Sequence, residues 1–215
     1  NNIKKILSRA SNGELEGTEK TDGYNIFLGF KDDIPRAARN KGDMKSGGMT
    51  PEQLSAREFQ GGAKVKRVYV DAFRAYEKAV LSLSRGEREA IFGIDGEIFY
   101  NAEIQGPGAS NVVNYDKNII SIHDGGHRSY NPDTDKVVVV DAVENSKVLD
   151  KVIDRFEIAT SEESFSVRRT AYMKLKQLED DYDLNIALAK MQKAGFSGSM
   201  TIGEFLENKI TSFLN

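Results

Sequence analysis

Glu19-Lys20-Thr21-Asp22-Gly23, running into Tyr24-Asn25-Ile26-Phe27-Leu28-Gly29-Phe30, is the stretch on which the reading of this chain turns. An Asp-Gly bend between two strand-like segments sets Lys20 at a strand end, a frame that a merely solvated lysine does not need. Nucleophilic lysine chemistry requires the free amine. An unperturbed ammonium has a pKa of about 10.4, so burial or a neighbouring cation must lower it. Gly23 lets a phosphate or base come close to the backbone, and Asp22 is placed to hold a ribose or orient the ammonium. The plainer reading is a hairpin turn with one exposed lysine, so the motif needs partners elsewhere in the chain.

The chain has 215 residues, 39% hydrophobic and 29% charged, which suits one large domain or one domain with a small appendage. Eleven Phe and eight Tyr can fill a sizeable core. The absence of cysteine excludes disulfides and thiolate metal sites and is compatible with a reducing compartment. With no long apolar run and no signal-like start, the expectation is a soluble, cytoplasmic protein, a viral one included, with no membrane partner. The chain opens on Asn1 rather than Met, as a processed or trimmed chain would. A net charge of -3 argues against a purely electrostatic nucleic-acid binder, yet leaves room for a local basic groove. Basic residues cluster at Lys64-Val65-Lys66-Arg67 and Arg168-Arg169, with Lys174 and Lys176 close behind.

Along the chain, residues 3 to 10 read as a short helix or strand and residues 14 to 30 as two strands with Asp22-Gly23 at the bend. From Pro35 to Gly62 a Gly-, Ser-, Arg- and Lys-rich composition predicts a long polar excursion able to fold over a ligand. Apolar positions at Val65, Val68, Tyr69, Ala72, Phe73, Tyr76, Val80 and Leu83 recur three and four apart and predict an amphipathic helix over 65 to 83. Strands are expected at Ile91-Phe92, 98 to 100, Val112-Val113, 119 to 122, 164 to 168 and 171 to 176, and a buried one at Val137 to Val140. Helices are expected at 145 to 158, after 179, and at 201 to 214.

Five stretches then fall in one order: Lys20-Thr21-Asp22-Gly23; Arg39-Asn40-Lys41-Gly42; Asn101-Ala102-Glu103-Ile104 with Gly106-Pro107-Gly108 and Val112 to Tyr115; Glu163-Ser164-Phe165-Ser166-Val167; and Lys174-Leu175-Lys176. In that order the chain resembles the covalent nucleotidyltransferases, the superfamily of ATP-dependent DNA ligases, RNA ligases and mRNA capping enzymes. A strand-borne glutamate followed by Gly-Pro-Gly and Val-x-Tyr is most similar to the RNA ligase branch. Asp95-Gly96-Glu97 lies just upstream, so Glu103 is a preference over Glu97.

The resemblance spans residues 14 to 178. It implies an α+β nucleotidyltransferase (adenylation) domain over 1–178, with antiparallel sheets around a nucleotide cleft, and a helical C-terminal extension over 179–215. Lys20 would attack the α-phosphorus of ATP, expel pyrophosphate and hold AMP as a phosphoramidate. Thr21, Asp22, Gly23, Arg39, Glu103, Ile122, Lys174 and Lys176 would bind the nucleotide. Glu163 and Glu103 would hold Mg²⁺ or Mn²⁺, because phosphoryl transfer needs cations around the phosphates and carboxylates around the metal. The implied partners are RNA, nicked or with single-stranded ends, or DNA, met by a monomer. An inactive relative that only binds nucleotide or nucleic acid is the alternative from another class. Two departures stand out: Ser164 replaces the usual glycine, and 119 to 123 offers no aromatic for adenine, leaving Ile120, Ile122 or His123. His123 and His127, around Asp124-Gly125-Gly126, lack zinc-site spacing and read as turn residues.

Overall fold

The computed structural model describes residues 2–107, 115–170, 172–174, 182–197, 200 and 204–205. Its elements in chain order are α1 (Asn2–Ser11), β1 (Glu16–Thr18), β2 (Tyr24–Lys31), β3 (Ile34–Ala38), α2 (Lys41–Lys45), α3 (Pro51–Ala56), α4 (Gly62–Leu81) and α5 (Arg85–Phe92). They continue with β4 (Tyr100–Gln105), β5 (Ile119–Ile122), β6 (Arg128–Asn131), β7 (Lys136–Val139), α6 (Val143–Ala159), β8 (Ser166–Arg169), β9 (Tyr172–Lys174) and α7 (Tyr182–Lys193). The class is α+β. The chain divides into two compact units, 20–170 and 1–19 together with 171–215. The boundary expected after residue 178 lies outside the described residues.

The larger unit is built on a five-stranded sheet of order β3-β2-β4-β5-β8. Every pairing in it is antiparallel except the last, where β8 runs parallel to β5. A parallel return needs a crossover, and the chain supplies one through the β6–β7 ribbon and α6. Strand alternation turns Ile26, Leu28, Ala102, Ile104, Ile120, Ile122 and Val167 to one face, where they form a single core with Tyr69, Phe73 and Tyr76 of α4 and Leu149 and Phe156 of α6. Polar tips of that core are satisfied locally: Tyr76 donates to the Gly29 carbonyl at 2.9 Å and Tyr100 to the Ile91 carbonyl at 3.0 Å. A second small cluster of Ala38, Met44 and Phe99 sits with Phe27 and Val137.

The amphipathic helix expected over 65 to 83 is α4. Several other expectations are corrected. The polar excursion contains β3 and two capped short helices, α2 behind Asn40, which accepts from the Asp43 N–H, and α3 behind the Thr50/Gln53 capping box with Pro51 at its first position. Ile91-Phe92 ends helix α5, started by the Ser84/Glu87 capping box, and is not a strand. The valine run of β7 is largely solvent-facing, Val139 being 67% exposed, because its only strand partner among the described residues is β6. Val112-Val113 lies outside the described residues, as does most of the expected closing helix, of which 204–205 are helical. No helix among the described residues is long and apolar enough to cross a membrane.

In the smaller unit β1 and β9 pair antiparallel, with Glu16 opposite Lys174 and Thr18 opposite Tyr172. The two strands around Asp22-Gly23 therefore do not form a hairpin: β1 pairs with β9, and β2 with β3 and β4.

Candidate functional site

Gly23 stands just before β2 at the closest backbone approach in this region. A Cβ there would lie 2.3 Å from the Ile104 carbonyl oxygen of β4, so only glycine lets the Lys20–Gly23 stretch lie against that strand. Thr21 is buried and Lys20 is exposed. The Asp22 N–H donates to Tyr115 Oη at 3.0 Å. Thr21 Oγ1 lies 3.4 Å from His123 Nε2, and His123 Nδ1 lies 3.1 Å from Thr170 Oγ1. The Thr170 hydroxyl spends its single hydrogen on the Ile122 carbonyl at 3.1 Å. It can then only accept from His123, which assigns the hydrogen to Nδ1 and leaves the Nε2 lone pair to the Thr21 hydroxyl. The carbonyl of His123 accepts from Arg169 Nη1 at 2.8 Å.

Beside this stretch, the face of the sheet opposite α4 carries a polar row in one register: Asn25 opposite Glu103, Glu103 opposite Ser121, Ser121 opposite Arg168. Arg168 Nε donates to Ser121 Oγ at 3.2 Å, and Ser121 Oγ donates to Gln105 Oε1. Asn25 Nδ2 donates to Asn101 Oδ1 at 2.7 Å. Two atoms of the row are buried with no hydrogen-bond partner among the described residues, Glu103 Oε2 and Gln105 Nε2. A buried carboxylate oxygen left unpaired costs about 1–3 kcal/mol or more, so Glu103 Oε2 is the point of the row that a further donor or cation would satisfy. Glu103 is thereby set apart from Glu97, which lies exposed in the turn before β4 and accepts from the Asp95 N–H at 3.2 Å.

Of the remaining candidates, Ile122, Glu163 and Arg39 go elsewhere. Ile122 is 2% exposed and packs in the core on the α4 side, so its neighbours Ser121 and His123 take the polar side. Glu163 precedes β8 and accepts from Lys78 Nζ of α4 at 2.7 Å, on the side of the sheet away from Glu103. Ser164 is exposed. Arg39 follows β3 on the helical side, its guanidinium 4.2 Å above the Tyr69 ring centroid. Lys174 closes β9, and Lys176 lies outside the described residues. The structure thus brings Thr21, Asp22, Gly23 and Glu103 together, with Lys20 adjoining in the chain, and directs Arg39, Ile122 and Glu163 to other surroundings.

Charge organises the support behind the row. Arg169, 12% exposed at its side chain, binds Asp124 at 2.6 Å and Asp150 at 2.7 Å, tying β8 to the turn after β5 and to α6. His127 is buried against Tyr100, ring centroids 4.4 Å apart, with Nε2 at 3.3 Å from Ser146 Oγ. Burial, with the Arg169 guanidinium adding to it, pushes its imidazole down to about 4. His127 is a neutral core histidine and not a surface turn residue. Thr170, Ser121 and Gln105 are participants that the sequence does not single out, and His123 and Tyr115 take part through hydrogen bonds to Thr21 and to the Asp22 amide. Period-two alternation from Ile120 and Ile122 would have exposed Ser121 and His123 as the outward pair. Compared with known proteins, the chain matches no family model and no curated protein.

Proposed function

We propose that the chain is an ATP-dependent polynucleotide ligase of the RNA-ligase type, built on a nucleotidyltransferase domain and acting through a lysyl-AMP at Lys20. One observation carries the reading: the Lys-Thr-Asp-Gly stretch is pressed onto β4 through Gly23, beside a glutamate of that strand whose Oε2 is buried and unpaired among the described residues. An exposed lysine three residues ahead of that contact, on a strand-bound stretch, and an unsatisfied acceptor on the strand suit a nucleoside triphosphate, whose ribose hydroxyls donate and whose phosphates accept.

In the reaction the Lys20 amine attacks the α-phosphorus, the N–P bond forms as the P–O bond to pyrophosphate breaks, and the ammonium proton passes to solvent. A 5′-phosphate oxygen then displaces Lys20 to give an adenylylated end. A 3′-hydroxyl displaces AMP to complete the phosphodiester. The Nε2 of His123 holds the Thr21 hydroxyl, and Tyr115 holds the Asp22 amide, so the residues following Lys20 are fixed before ATP arrives. The free Glu103 oxygen fits one protein ligand of a Mg²⁺ or Mn²⁺, hard cations that commonly take one or two carboxylates plus phosphate oxygens and water. Bound there, the ion would neutralise charge developing on the phosphates.

The test is intact mass spectrometry with ATP and Mg²⁺. The expected result is a gain of one AMP, reversed by pyrophosphate and absent in Lys20→Ala, whose fold is retained because Lys20 is exposed. An undiminished adduct in Lys20→Ala would sink the assignment. A second reading, a relative that binds nucleotide or nucleic acid without catalysis, is favoured by Glu163, which is engaged by Lys78 instead of standing with Glu103. Nucleotide binding with no covalent adduct would decide for it.

A further inference from the structure

On the helical side of the sheet a pocket of about 430 Å³ is lined by Tyr24, Arg39, Asn40, Phe59, Gln60 and Tyr69, among others. Its floor is a ladder of near-parallel rings. Tyr24 and Tyr69 stack with centroids 5.6 Å apart and planes at 15°, and Tyr69 and Phe59 at 4.8 Å and 16°. The Arg39 guanidinium lies over the ladder, 4.2 Å from the Tyr69 centroid and 5.9 Å from that of Phe59.

What distinguishes Arg39 from a structural cation is that its side chain has no acceptor partner among the described residues. Its Nε is buried with no acceptor, and no carboxylate pairs with its side chain among the described residues. The adjacent Arg57 is paired, its Nη1 donating to Asp43 Oδ1 at 2.8 Å and to Met49 Sδ at 3.2 Å. At the rim Glu58 is 93% exposed and turned to Lys66 at 4.0 Å. A buried guanidinium Nε without an acceptor is costly, and a planar fork of donors on an aromatic face, open to the pocket, matches a phosphate next to a flat ring. Asn40 and Gln60, both exposed, add amide groups at the edge.

We infer that this pocket seats one nucleotide of a single-stranded polynucleotide, its phosphate on Arg39 and its base against the Phe59–Tyr69–Tyr24 rings. Stacking on aromatic rings and arginine planes is how unpaired bases are generally held, and it tolerates any base. Tyr24 follows Lys20 by four residues, so the ladder begins within about 14 Å of the lysine along the chain, near enough for a strand seated here to be presented to it. Glu103 faces the opposite side of the sheet, which leaves that side to ATP. The choice of a polynucleotide rests on the ligase reading; the anion-and-ring chemistry of the pocket does not.

The experiment is fluorescence anisotropy of fluorescein-labelled oligo(U) with the whole chain, without ATP, comparing wild type with Arg39→Gln, Phe59→Ala and Gln60→Glu. Gln60 is exposed, so its substitution keeps the fold and places a repelling charge at the rim. Each variant is expected to bind about tenfold more weakly, from a stacking contribution of about 1–3 kcal/mol per base. Arg39→Gln should also lower the salt slope by about 0.7 for the one phosphate lost. Variants that bind as wild type does, or displacement of the oligomer by saturating ATP, would overturn the inference. AMP uptake by the wild type, measured in parallel, separates the two readings. A chain that takes up AMP while its pocket variants bind oligo(U) normally refutes the pocket alone. A chain that takes up none, yet loses oligo(U) on these substitutions, refutes the adenylation reading alone.

Discussion

Replacing Gly23 by Ala probes the contact on which the candidate site depends. The new Cβ would stand 2.3 Å from the Ile104 carbonyl oxygen, 3.0 Å from its carbon and 3.2 Å from Gln105 Cγ, where ordinary contact begins at 3.4 Å. The first two atoms are backbone of β4, held on both sides by the ladders to β2 and β5, and cannot swing away as a side-chain tip would. Overpacking of this kind costs about 1–3 kcal/mol. For a chain of this size each kcal/mol lowers the melting midpoint by roughly 2–4 °C, so a loss of roughly 2–12 °C is expected in far-UV circular dichroism. Gly86, in α5, provides the control, since a Cβ there meets nothing within 4 Å. Gly86→Ala should melt at or above the wild-type temperature, gaining up to about 1 kcal/mol from reduced unfolded-state entropy. Uptake of AMP should fall in Gly23→Ala, because the substitution lifts the Lys20 stretch off β4, and persist in Gly86→Ala. A Gly23→Ala chain that melts with the wild type would refute the claim that this stretch is pressed on β4.

Glu103→Gln removes the carboxylate whose Oε2 is buried and unpaired among the described residues, so it should leave stability unchanged or raise it by about 1 kcal/mol while lowering AMP uptake at least about tenfold; a clear loss of stability would make Glu103 structural. Because the folded chain keeps His127 neutral down to about 4, whereas an unfolded histidine titrates near 6.5, the unfolded state gains the proton first on acidification. Stability should therefore be complete above about pH 6.5 and fall by up to about 3 kcal/mol towards pH 4, and melting curves across that range should flatten in His127→Gln. Arg169→Ala strands Asp124, Asp150 and the His123 carbonyl, and urea titration should register a loss of about 2–4 kcal/mol; a loss below about 1 kcal/mol would reduce the clamp to a surface pair.

Some of this was readable without coordinates because it is local. The three-and-four spacing from Val65 to Leu83 requires a helix with one buried face, and α4 is that helix. Alternation placed strands at 119 to 122 and in the run from Tyr24 to Phe30. The helices missed in the polar excursion had local signals as well, Asn40 ahead of Asp43 and Thr50-Pro51 ahead of Gln53, but Gly- and Ser-rich composition outweighed them. Ile91-Phe92 is ambiguous for a similar reason: two apolar residues before a glycine fit a strand end as well as a helix end, and the Ser84/Glu87 box upstream decides for the helix.

The α+β class, the principal amphipathic helix and the place of Lys20 just ahead of a buried strand are legible in the sequence, since each depends on neighbours a few residues away. Tertiary structure alone decided the rest. That β1 pairs with β9 and not with β2, that Glu163 pairs with Lys78, and that the Arg39 guanidinium lies over a ladder of rings depend on partners tens of residues distant. Alternation tells which residues of a strand share a face, but packing tells which face meets helices, and that is why Ile122 lies in the core while Ser121 and His123 turn toward the site.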